Sequence, residues 1–202
     1  MNVAVVILAG GQGSRLGGSK PLRKLGARRL IDRAIDYAGG ISHCRAIAVR
    51  DAGQVTGVQF PIVHDDPSIE GPLSGLVAAL RFAQDAGATA VLSIPVDMPF
   101  LPADLAKRLG ESRGQCRAAV ASSGGHLHPV CGLWATDALG VVAEYLTAGK
   151  RSLIGFAEAA GYVAVDWPVG SIDPFFNINC EEDLVRAEDV LGQQIAPIDG
   201  RK

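Results

Sequence analysis

The chain has 202 residues, of which 48% are hydrophobic and 20% charged, and its formal net charge is −2. This apolar content excludes a disordered chain, and the balanced charge argues against a nucleic-acid-binding surface and a polybasic membrane anchor. The N-terminal apolar run, Val3–Ala9, is far shorter than the roughly 20 residues that cross a bilayer. Four cysteines without a C-x-x-C pair indicate reduced thiols. We therefore expect a cytoplasmic protein of one α/β domain with no nucleic-acid or membrane partner.

Apolar runs alternate with amphipathic stretches along the whole sequence. In chain order, the predicted elements are strand Val3–Ala9, helix Leu30–Ala38, strands Arg45–Val49 and Phe60–Val63, helix Gly75–Asp85, strand Ala90–Pro95, helix Leu101–Leu109, strands Ala118–Ser122 and Val130–Trp134, helices Asp137–Ala148 and Leu153–Ala160, strand Tyr162–Val165, and helix Glu181–Leu191. Strands that alternate with helices are typical of right-handed βαβ units. The sequence therefore predicts an α/β fold, a three-layer α/β/α sandwich around a mostly parallel sheet.

A glycine-rich segment with two cations follows the first predicted strand directly. It has the sequence LAGGQGSRLGGSK from Leu8 to Lys20. Glycine lets backbone N–H groups approach phosphate oxygens, and Arg15 and Lys20 supply positive charge. The segment is neither a dinucleotide-binding fingerprint nor a P-loop, because Leu16 stands at the third glycine position and Ser19 stands where lysine is required. On its own, it is equally typical of a phosphate-binding loop and of a solvated glycine-rich connection.

Asp97 is the second candidate, because it follows a buried predicted strand and lies between Pro95 and Pro99, which stiffen the backbone. A carboxylate at the carboxyl end of a strand, across from a phosphate-binding loop, is well placed to hold Mg²⁺. The alternative interpretation is an ordinary turn or helix-entry aspartate, which is the commoner role in such positions.

Two further patterns are weaker. His126, His128 and Cys131 form an H-x-H-x-x-C cluster, but no fourth ligand is near and the spacing suits a strand on which Cys131 faces away from the histidines. We therefore do not predict a zinc site. Nothing in the sequence places a nucleophilic serine or cysteine beside a histidine base, so covalent catalysis is not indicated.

Six segments in order resemble the molybdenum cofactor guanylyltransferase family of nucleotidyltransferases. They are the segment from Leu8 to Lys20, Asp65-Asp66 with Gly71–Gly75, Pro95–Pro102, His128-Pro129, Gly149–Arg151 with Val165-Asp166, and Phe176–Asn179 with Glu181-Glu182. The resemblance spans residues 3 to about 190. It implies a Rossmann-like nucleotidyltransferase fold as one domain over residues 1–192, with a nucleotide-binding half to about residue 110 and an acceptor-binding half over about 111–192. The polar composition of residues 193–202 predicts a loose tail.

The resemblance also implies an activity, a metal and a set of site residues. The implied activity is transfer of GMP from GTP to the terminal phosphate of the molybdopterin cofactor, with Mg²⁺ as metal cofactor and release of pyrophosphate. The implied catalytic residues are Arg15, Lys20 and Asp97, of which Asp97 is the metal ligand. The implied nucleotide-binding residues are Leu8, Ala9, Gly10, Gly11, Gly13, Lys20, Asp65, Asp66 and Asp97, and the implied acceptor-binding residues are His128, Asn177 and Asn179.

Several alternatives stay open at this stage. Ser19 stands where the family has an aspartate and Val49 where it has an asparagine, so the chain is also compatible with cytidylyl transfer to the same cofactor or with sugar-1-phosphate nucleotidyl transfer. A nicotinamide oxidoreductase and a non-catalytic nucleotide-binding protein are more distant alternatives. The sequence does not distinguish whether Asp65 or Asp66 contacts the nucleotide. We also expect transient contact with proteins that deliver or receive the cofactor, because the cofactor is oxygen-sensitive.

Overall fold

The computed structural model describes residues 2–11 and 20–195. Within them, strands and helices alternate along the chain as predicted. The strands are β1 Val3–Leu8, β2 Lys24–Leu25, β3 Arg28–Arg29, β4 Arg45–Val49, β5 Ile62–His64, β6 Ala90–Pro95, β7 Ala118–Ser123, β8 His126–Ala135 and β9 Tyr162–Trp167. The α-helices are α1 Leu30–Gly39, α2 Pro72–Asp85, α3 Leu105–Arg113, α4 Leu139–Thr147, α5 Leu153–Ala160 and α6 Glu181–Ile195. None of the described helices is long and apolar enough to span a bilayer.

Seven of these strands form one sheet in the order β5-β4-β1-β6-β8-β7-β9. Strands β5, β4, β1 and β6 are mutually parallel, and β7 is parallel to β9. Strand β8 is antiparallel to both of its neighbours, β6 and β7. The chain reverses direction between β7 and β8 at Gly124 and Gly125, whose φ angles of 54° and 80° suit a two-residue hairpin turn. The predicted mostly parallel sheet is therefore confirmed, with β8 as the exception.

Helices cover both faces of the sheet because the strands present apolar side chains on both sides. Val5 and Ile7 of β1 pack in a cluster with α1, α3 and α6, whereas Ala4 and Val6 pack in a second cluster with α2, α4 and α5. Near-continuous apolar strands of this kind are expected in a parallel sheet buried on both faces. The three-layer sandwich predicted from the sequence is confirmed.

Several element boundaries differ from the predicted ones for local physical reasons. The helix predicted from Leu101 begins only at Leu105, because Pro102 lies in a preceding turn in which Leu105 N donates to Pro102 O at 3.1 Å. Helix α2 begins three residues earlier than predicted, with Pro72 in its first turn, where proline's missing N–H costs nothing. The two-residue strands β2 and β3 were not predicted, since they are too short to show a period. Helix α6 extends to Ile195, into the predicted tail, and residues 196–202 lie outside the described part of the chain.

Candidate active site

A cavity of about 490 Å³ opens at the carboxyl ends of β1, β4, β5 and β6. Loops beyond the carboxyl ends of parallel strands are where open α/β sheets bind their ligands. The described residues that line the cavity are Leu8, Ala9, Gly10, Gly11, Lys20, Arg50, Asp65, Gly71, Pro72, Gly75, Pro95, Val96, Asp97, Val130, Asn177 and Asn179. Of the predicted site residues in the described ranges, only Asp66 and His128 are not among them. Gly13 and Arg15 lie outside the described residues.

Lys20 and Asp97 meet in this cavity although 77 positions separate them in the sequence. Lys20 Nζ forms an ion pair with Asp97 Oδ2 and donates a hydrogen bond to Asn179 Oδ1 at 2.9 Å. Only 8% of the Lys20 surface is exposed, so its ammonium depends on these partners for the solvation it loses by burial. An ammonium has three N–H donors, and these two contacts leave the third one for a ligand.

The main chain of Asp97 holds the asparagine segment against the site. Ile178 N donates to the Asp97 carbonyl oxygen at 3.0 Å, which brings Asn177 and Asn179 to either side of this contact. Asp97 Oδ1 and Asn177 Oδ1 are both buried, and neither has a hydrogen-bond partner within residues 2–11 and 20–195. Carboxylate and amide oxygens are the ligands that Mg²⁺ accepts, so these two atoms fit a magnesium ion.

A magnesium ion here would take most of its ligands from outside the protein. The described residues contain no group of three or more His, Cys, Asp or Glu side chains arranged to hold a metal. Mg²⁺ commonly binds through one or two carboxylates, with the remaining positions filled by substrate phosphates and water. The single carboxylate of Asp97 is compatible with that pattern.

Asp65 follows β5, lines the cavity and packs between Gly10 and Gly75. A Cβ atom on Gly10 would lie 2.2 Å from Asp65 Oδ2, and one on Gly75 would lie 3.4 Å from Asp65 Oδ1. Oδ1 is buried and has no hydrogen-bond partner among the residues that the structure describes. Burial raises the pKa of Asp65, against the opposing charges of Arg50 and His64. Asp65 is thus a largely desolvated carboxyl group that faces the cavity.

Asp66 has a different environment from its neighbour. Its Oδ1 accepts hydrogen bonds from Ser68, and its Oδ2 forms a 2.8 Å ion pair with Arg81 of α2. The bonds from Ser68, followed by those from Arg81, lower the pKa of Asp66. Asp66 therefore anchors the segment before α2, and the structure places Asp65 alone of the two aspartates in the cavity.

We expect Gly10→Ala to destabilise the protein by about 1–3 kcal/mol, the range for overpacking a close-packed site. The added methyl would collide with Asp65 and would lie 3.3 Å from the backbone nitrogen of Arg50. Urea denaturation measures the free energy of unfolding. Gly140→Ala in α4 is the matched control, because its Cβ would meet no atom within 4 Å and alanine is the better helix former. Equal stabilities of the Gly10→Ala variant and the wild type would contradict the close contact.

We expect Asp65→Asn to raise the melting temperature at neutral pH, although it removes a site residue. The pKa of Asp65 is raised above the ordinary value of 3.8, so above that raised pKa the folded protein carries an ionised carboxylate that is better solvated in the unfolded chain. Below 3.8 the carboxyl is protonated in both states and the cost disappears. The stabilisation should therefore shrink as the pH falls through the raised pKa. Thermal unfolding of both proteins across the acidic range tests this, and a variant less stable than the wild type at neutral pH contradicts it.

His128 lies outside the cavity, in a separate polar cluster beside it. His128 Nε2 and Ser123 Oγ are 2.8 Å apart, and Ser123 donates to the Asp173 carboxylate at the same distance. The His128 ring stacks on Phe175 with 4.8 Å between centroids. Burial lowers the pKa of His128, partly offset by Asp173. The structure therefore brings Asn177 and Asn179 to Asp97 and places His128 against the segment that precedes them.

Ser123 lies beside His128 in the structure, but it is fully buried, so its hydroxyl is not accessible as a nucleophile. One sequence expectation about this strand was wrong. Cys131 packs in the same apolar cluster as Phe175, the residue on which His128 stacks, and not on the opposite face. The cause is a register shift in the β7–β8 pairing, which moves from Ala121 opposite His128 to Val120 opposite Gly132 and breaks the simple alternation.

Comparison with known proteins identifies the family of the chain. Residues 5–161 match the MobA-like NTP transferase domain family. A molybdenum cofactor guanylyltransferase of Cereibacter sphaeroides is 40% identical over 95% of this chain and 98% of that protein. Another from Rhodopseudomonas palustris is 37% identical over 92% of each chain.

A solved structure shares the fold. The crystal structure of molybdopterin-guanine dinucleotide biosynthesis protein A from Archaeoglobus fulgidus superposes with a TM-score of 0.76 at 24% identity, and the match covers 94% of this chain and 99% of that one. The Rossmann-like nucleotidyltransferase fold and the family resemblance predicted from the sequence are confirmed. The chain therefore belongs to the MobA-like NTP transferase family and is a nucleotidyltransferase.

Proposed function

We propose that this enzyme transfers GMP from GTP to the terminal phosphate of the molybdopterin cofactor. An acceptor phosphate oxygen attacks the α-phosphorus, the bond from that phosphorus to the oxygen bridging the β-phosphorus breaks, and pyrophosphate leaves. The observation that carries the proposal is the meeting of Lys20 and Asp97 in one cavity beyond β1 and β6. The relatives named molybdenum cofactor guanylyltransferase support the choice of nucleotide and acceptor.

Catalysis in this proposal consists of charge neutralisation and alignment. Both reactants are phosphate anions, so their mutual repulsion has to be offset before the acceptor oxygen can reach the α-phosphorus. Lys20 directs its remaining N–H at the triphosphate from a position fixed by Asp97 and Asn179. No general base is needed, because a phosphate monoester already carries about 1.5 to 2 negative charges at neutral pH.

Mg²⁺ completes the proposed site. Asp97 Oδ1 and Asn177 Oδ1 would hold the ion, because both are buried oxygens without a partner in the described part of the chain. When bound, Mg²⁺ supplies positive charge to the phosphate oxygens. Asp97 thus has two functions in this proposal: Oδ2 fixes Lys20 and Oδ1 faces the metal.

The remaining residues are divided between the two substrates. For the nucleotide we propose the end of β1 with Leu8, Ala9, Gly10, Gly11 and Gly13, and Asp65 in place of Asp66. Arg15 would cover the departing pyrophosphate, as the family resemblance implies. For the acceptor we propose Asn177 and Asn179, with His128 as a candidate outside the cavity lining. These assignments correspond to one domain over residues 1–192 with a nucleotide half up to about residue 110 and an acceptor half after it.

Location and partners follow from the proposed substrates. GTP supply favours the cytoplasm. An oxygen-sensitive cofactor favours transient contact with the proteins that deliver it and with the molybdoenzymes that receive the product.

A nucleotide panel tests the proposal. Thermal unfolding is measured with GTP, CTP, UTP and ATP in magnesium buffer, since a ligand that binds the folded state raises Tm by mass action. Pyrophosphate release is then measured with purified molybdopterin. We expect GTP to give the largest shift and pyrophosphate to appear only when the acceptor is present. The largest shift with CTP would favour a cytidylyltransferase, and GTP binding without pyrophosphate release would favour a non-catalytic protein.

A further inference from the structure

Asp183 holds the main chain at Asn179, the residue whose side chain accepts a hydrogen bond from Lys20. Asn179 N donates to Asp183 Oδ2 at 2.8 Å, and the next amide, Cys180 N, donates to the same oxygen at 3.1 Å. The side-chain oxygen of Asn179 accepts from Lys20 Nζ at 2.9 Å. Asn179 therefore links the carboxylate of Asp183 in α6 to the ammonium in the cavity.

Capping of α6 explains one of the two bonds to Asp183 but not the other. Cys180 O accepts the first helical bond, from Leu184 N, so Cys180 is the N-cap and Asp183 is the third residue of the helix. In a capping box, the side chain of that third residue accepts from the N-cap amide. The amide of Asn179 precedes the N-cap and is not one of the amides that a helix start leaves without a partner. The shorter of the two bonds is thus made to the residue that contacts Lys20.

Asn179 depends on main-chain bonds for its position. It is an exposed residue, so packing does not fix its side chain. The residue before it, Ile178, is fully buried and donates to the Asp97 carbonyl oxygen. The Asn179 backbone is therefore held by this contact on one side and by Asp183 on the other.

A second contact between α6 and the Lys20 segment lies at the surface. Arg23 N donates to Lys20 O at 3.2 Å, and the Arg23 side chain forms an ion pair with Glu181. These two side chains are 36% and 58% exposed, and exposed ion pairs contribute little to stability. The contact through Asp183 and Asn179 is the one that reaches the Lys20 ammonium itself.

We infer that Asp183 is a positioning residue for nucleotidyl transfer: it fixes Asn179, which in turn holds the Lys20 ammonium in place for the triphosphate. The inference rests on the proposed function, because that function assigns Lys20 to the phosphates. Without the bond to Asn179, the ammonium is free to move about the Asp97 carboxylate. A displacement of about 1 Å in an aligned group costs up to about a hundredfold in rate.

Substitution of Asp183 tests the inference by activity. We expect Asp183→Ala to lower kcat/KM for GTP by about tenfold to a hundredfold. Asp183→Asn keeps an accepting oxygen and should recover most of that loss. Glu182→Ala is the matched control, because it removes an exposed carboxylate from the same helical turn and leaves the bond to Asn179 in place. An alanine variant with the wild-type kcat/KM, or an asparagine variant as slow as the alanine variant, would overturn the inference.

The loss caused by Asp183→Ala should depend on Lys20. In the Lys20→Met background there is no ammonium to hold, so Asp183→Ala should cause no further loss of kcat/KM. A merely structural role for Asp183 would lower the activity by the same factor in both backgrounds, and that result would contradict the inference.

Chemical labelling of Lys20 gives a readout that does not depend on the reaction. Trace acetylation of the folded protein, followed by mass spectrometry of its peptides, measures the rate at Lys20 relative to the exposed Lys24. We expect a low ratio in the wild type, Glu182→Ala and Asp183→Asn, and a ratio several times higher in Asp183→Ala. An unchanged ratio in Asp183→Ala would show that Lys20 is held without Asp183, and the inference would be wrong.

Failure of the proposed function has a different signature. If transfer does not use Lys20, Lys20→Met keeps the wild-type activity while Asp183→Ala still raises the acetylation ratio. If the inference alone fails, Lys20→Met is slow, and Asp183→Ala changes neither the transfer rate nor the acetylation ratio.

Discussion

We expect Asp97→Asn to lower kcat for nucleotidyl transfer by about a thousandfold, the upper range for loss of one preorganised electrostatic contact. The substitution keeps the shape of the side chain and one oxygen to accept from Lys20, but it removes the negative charge that pairs with Lys20 and that we propose as a ligand of Mg²⁺. Transition-state charge on the phosphates is then poorly neutralised. Pyrophosphate release at saturating GTP and acceptor measures the loss.

The asparagine variant is preferred to alanine because of the buried ion pair. Both substitutions remove the anion that pairs with Lys20. Asp97→Ala also removes the oxygen that accepts from the buried ammonium, and breaking a buried pair in this way typically costs about 3–5 kcal/mol of folding free energy, whereas asparagine keeps an accepting oxygen. Asp85→Asn, at the exposed end of α2, is the control for charge removal alone and should retain full activity. A wild-type kcat for the Asp97→Asn variant in magnesium buffer would remove Asp97 from the mechanism.

We expect Lys20→Met to lower kcat/KM for GTP by about a hundredfold or more, again the range for one electrostatic contact. Methionine retains much of the apolar volume of the lysine stem but cannot donate to the phosphates. Lys24→Met is the control, since Lys24 lies four residues away on β2 and is exposed. Initial rates at varied GTP concentration measure the change.

We expect the losses of activity caused by the two substitutions not to be additive in free energy. Lys20 and Asp97 act as one unit through their ion pair, so the double variant Lys20→Met/Asp97→Asn should lose little more than the worse single variant. Independent losses that multiply would show that the two side chains act separately. An unchanged kcat/KM in Lys20→Met alone would place this lysine outside the reaction.

The fold could be predicted from the sequence because its central strands carry a strong signal. β1 and β6 are short apolar runs bounded by glycine or proline, and β4 was predicted with the bounds that the structure shows. The two strands of the β7–β8 hairpin were also predicted, as Ala118–Ser122 and Val130–Trp134, and the structure places a turn at Gly124 and Gly125 between them. Its insertion next to β6 could not be predicted, because strand order depends on contacts between distant segments.

The site was predicted unevenly, for reasons that particular residues make clear. Asp97 follows closely on β6, which pairs with β1, so its place beside the segment after β1 follows from topology. Lys20 comes 12 residues after β1, and its contact with Asp97 is seen only in the structure. Asp65 and Asp66 are adjacent residues of the same type, so the sequence does not separate them. The close contacts of Asp65 with Gly10 and Gly75 in the structure show which one faces the cavity. Arg50 was not predicted as a site residue, although it follows β4 just as Asp97 follows close behind β6.

His128 shows what a local pattern leaves out about placement. The resemblance implies acceptor binding for this residue, and the structure places its ring against Phe175 and the Ser123–Asp173 pair. Ser123 lies nearby on β7, but Asp173 and Phe175 come from a loop more than 40 residues further along the chain, which no local pattern reveals.

Transfer of label from GTP tests the account most directly. GTP labelled at the α-phosphorus is incubated with purified molybdopterin and the wild-type enzyme or the Asp97→Asn variant, and the products are separated. With the wild type, the label should appear in a guanylated acceptor in proportion to unlabelled pyrophosphate, and with the variant nearly all of it should stay in GTP. Labelled acceptor formed equally fast by both proteins, or label found only in free GMP or GDP, would contradict nucleotidyl transfer at the Lys20–Asp97 cavity.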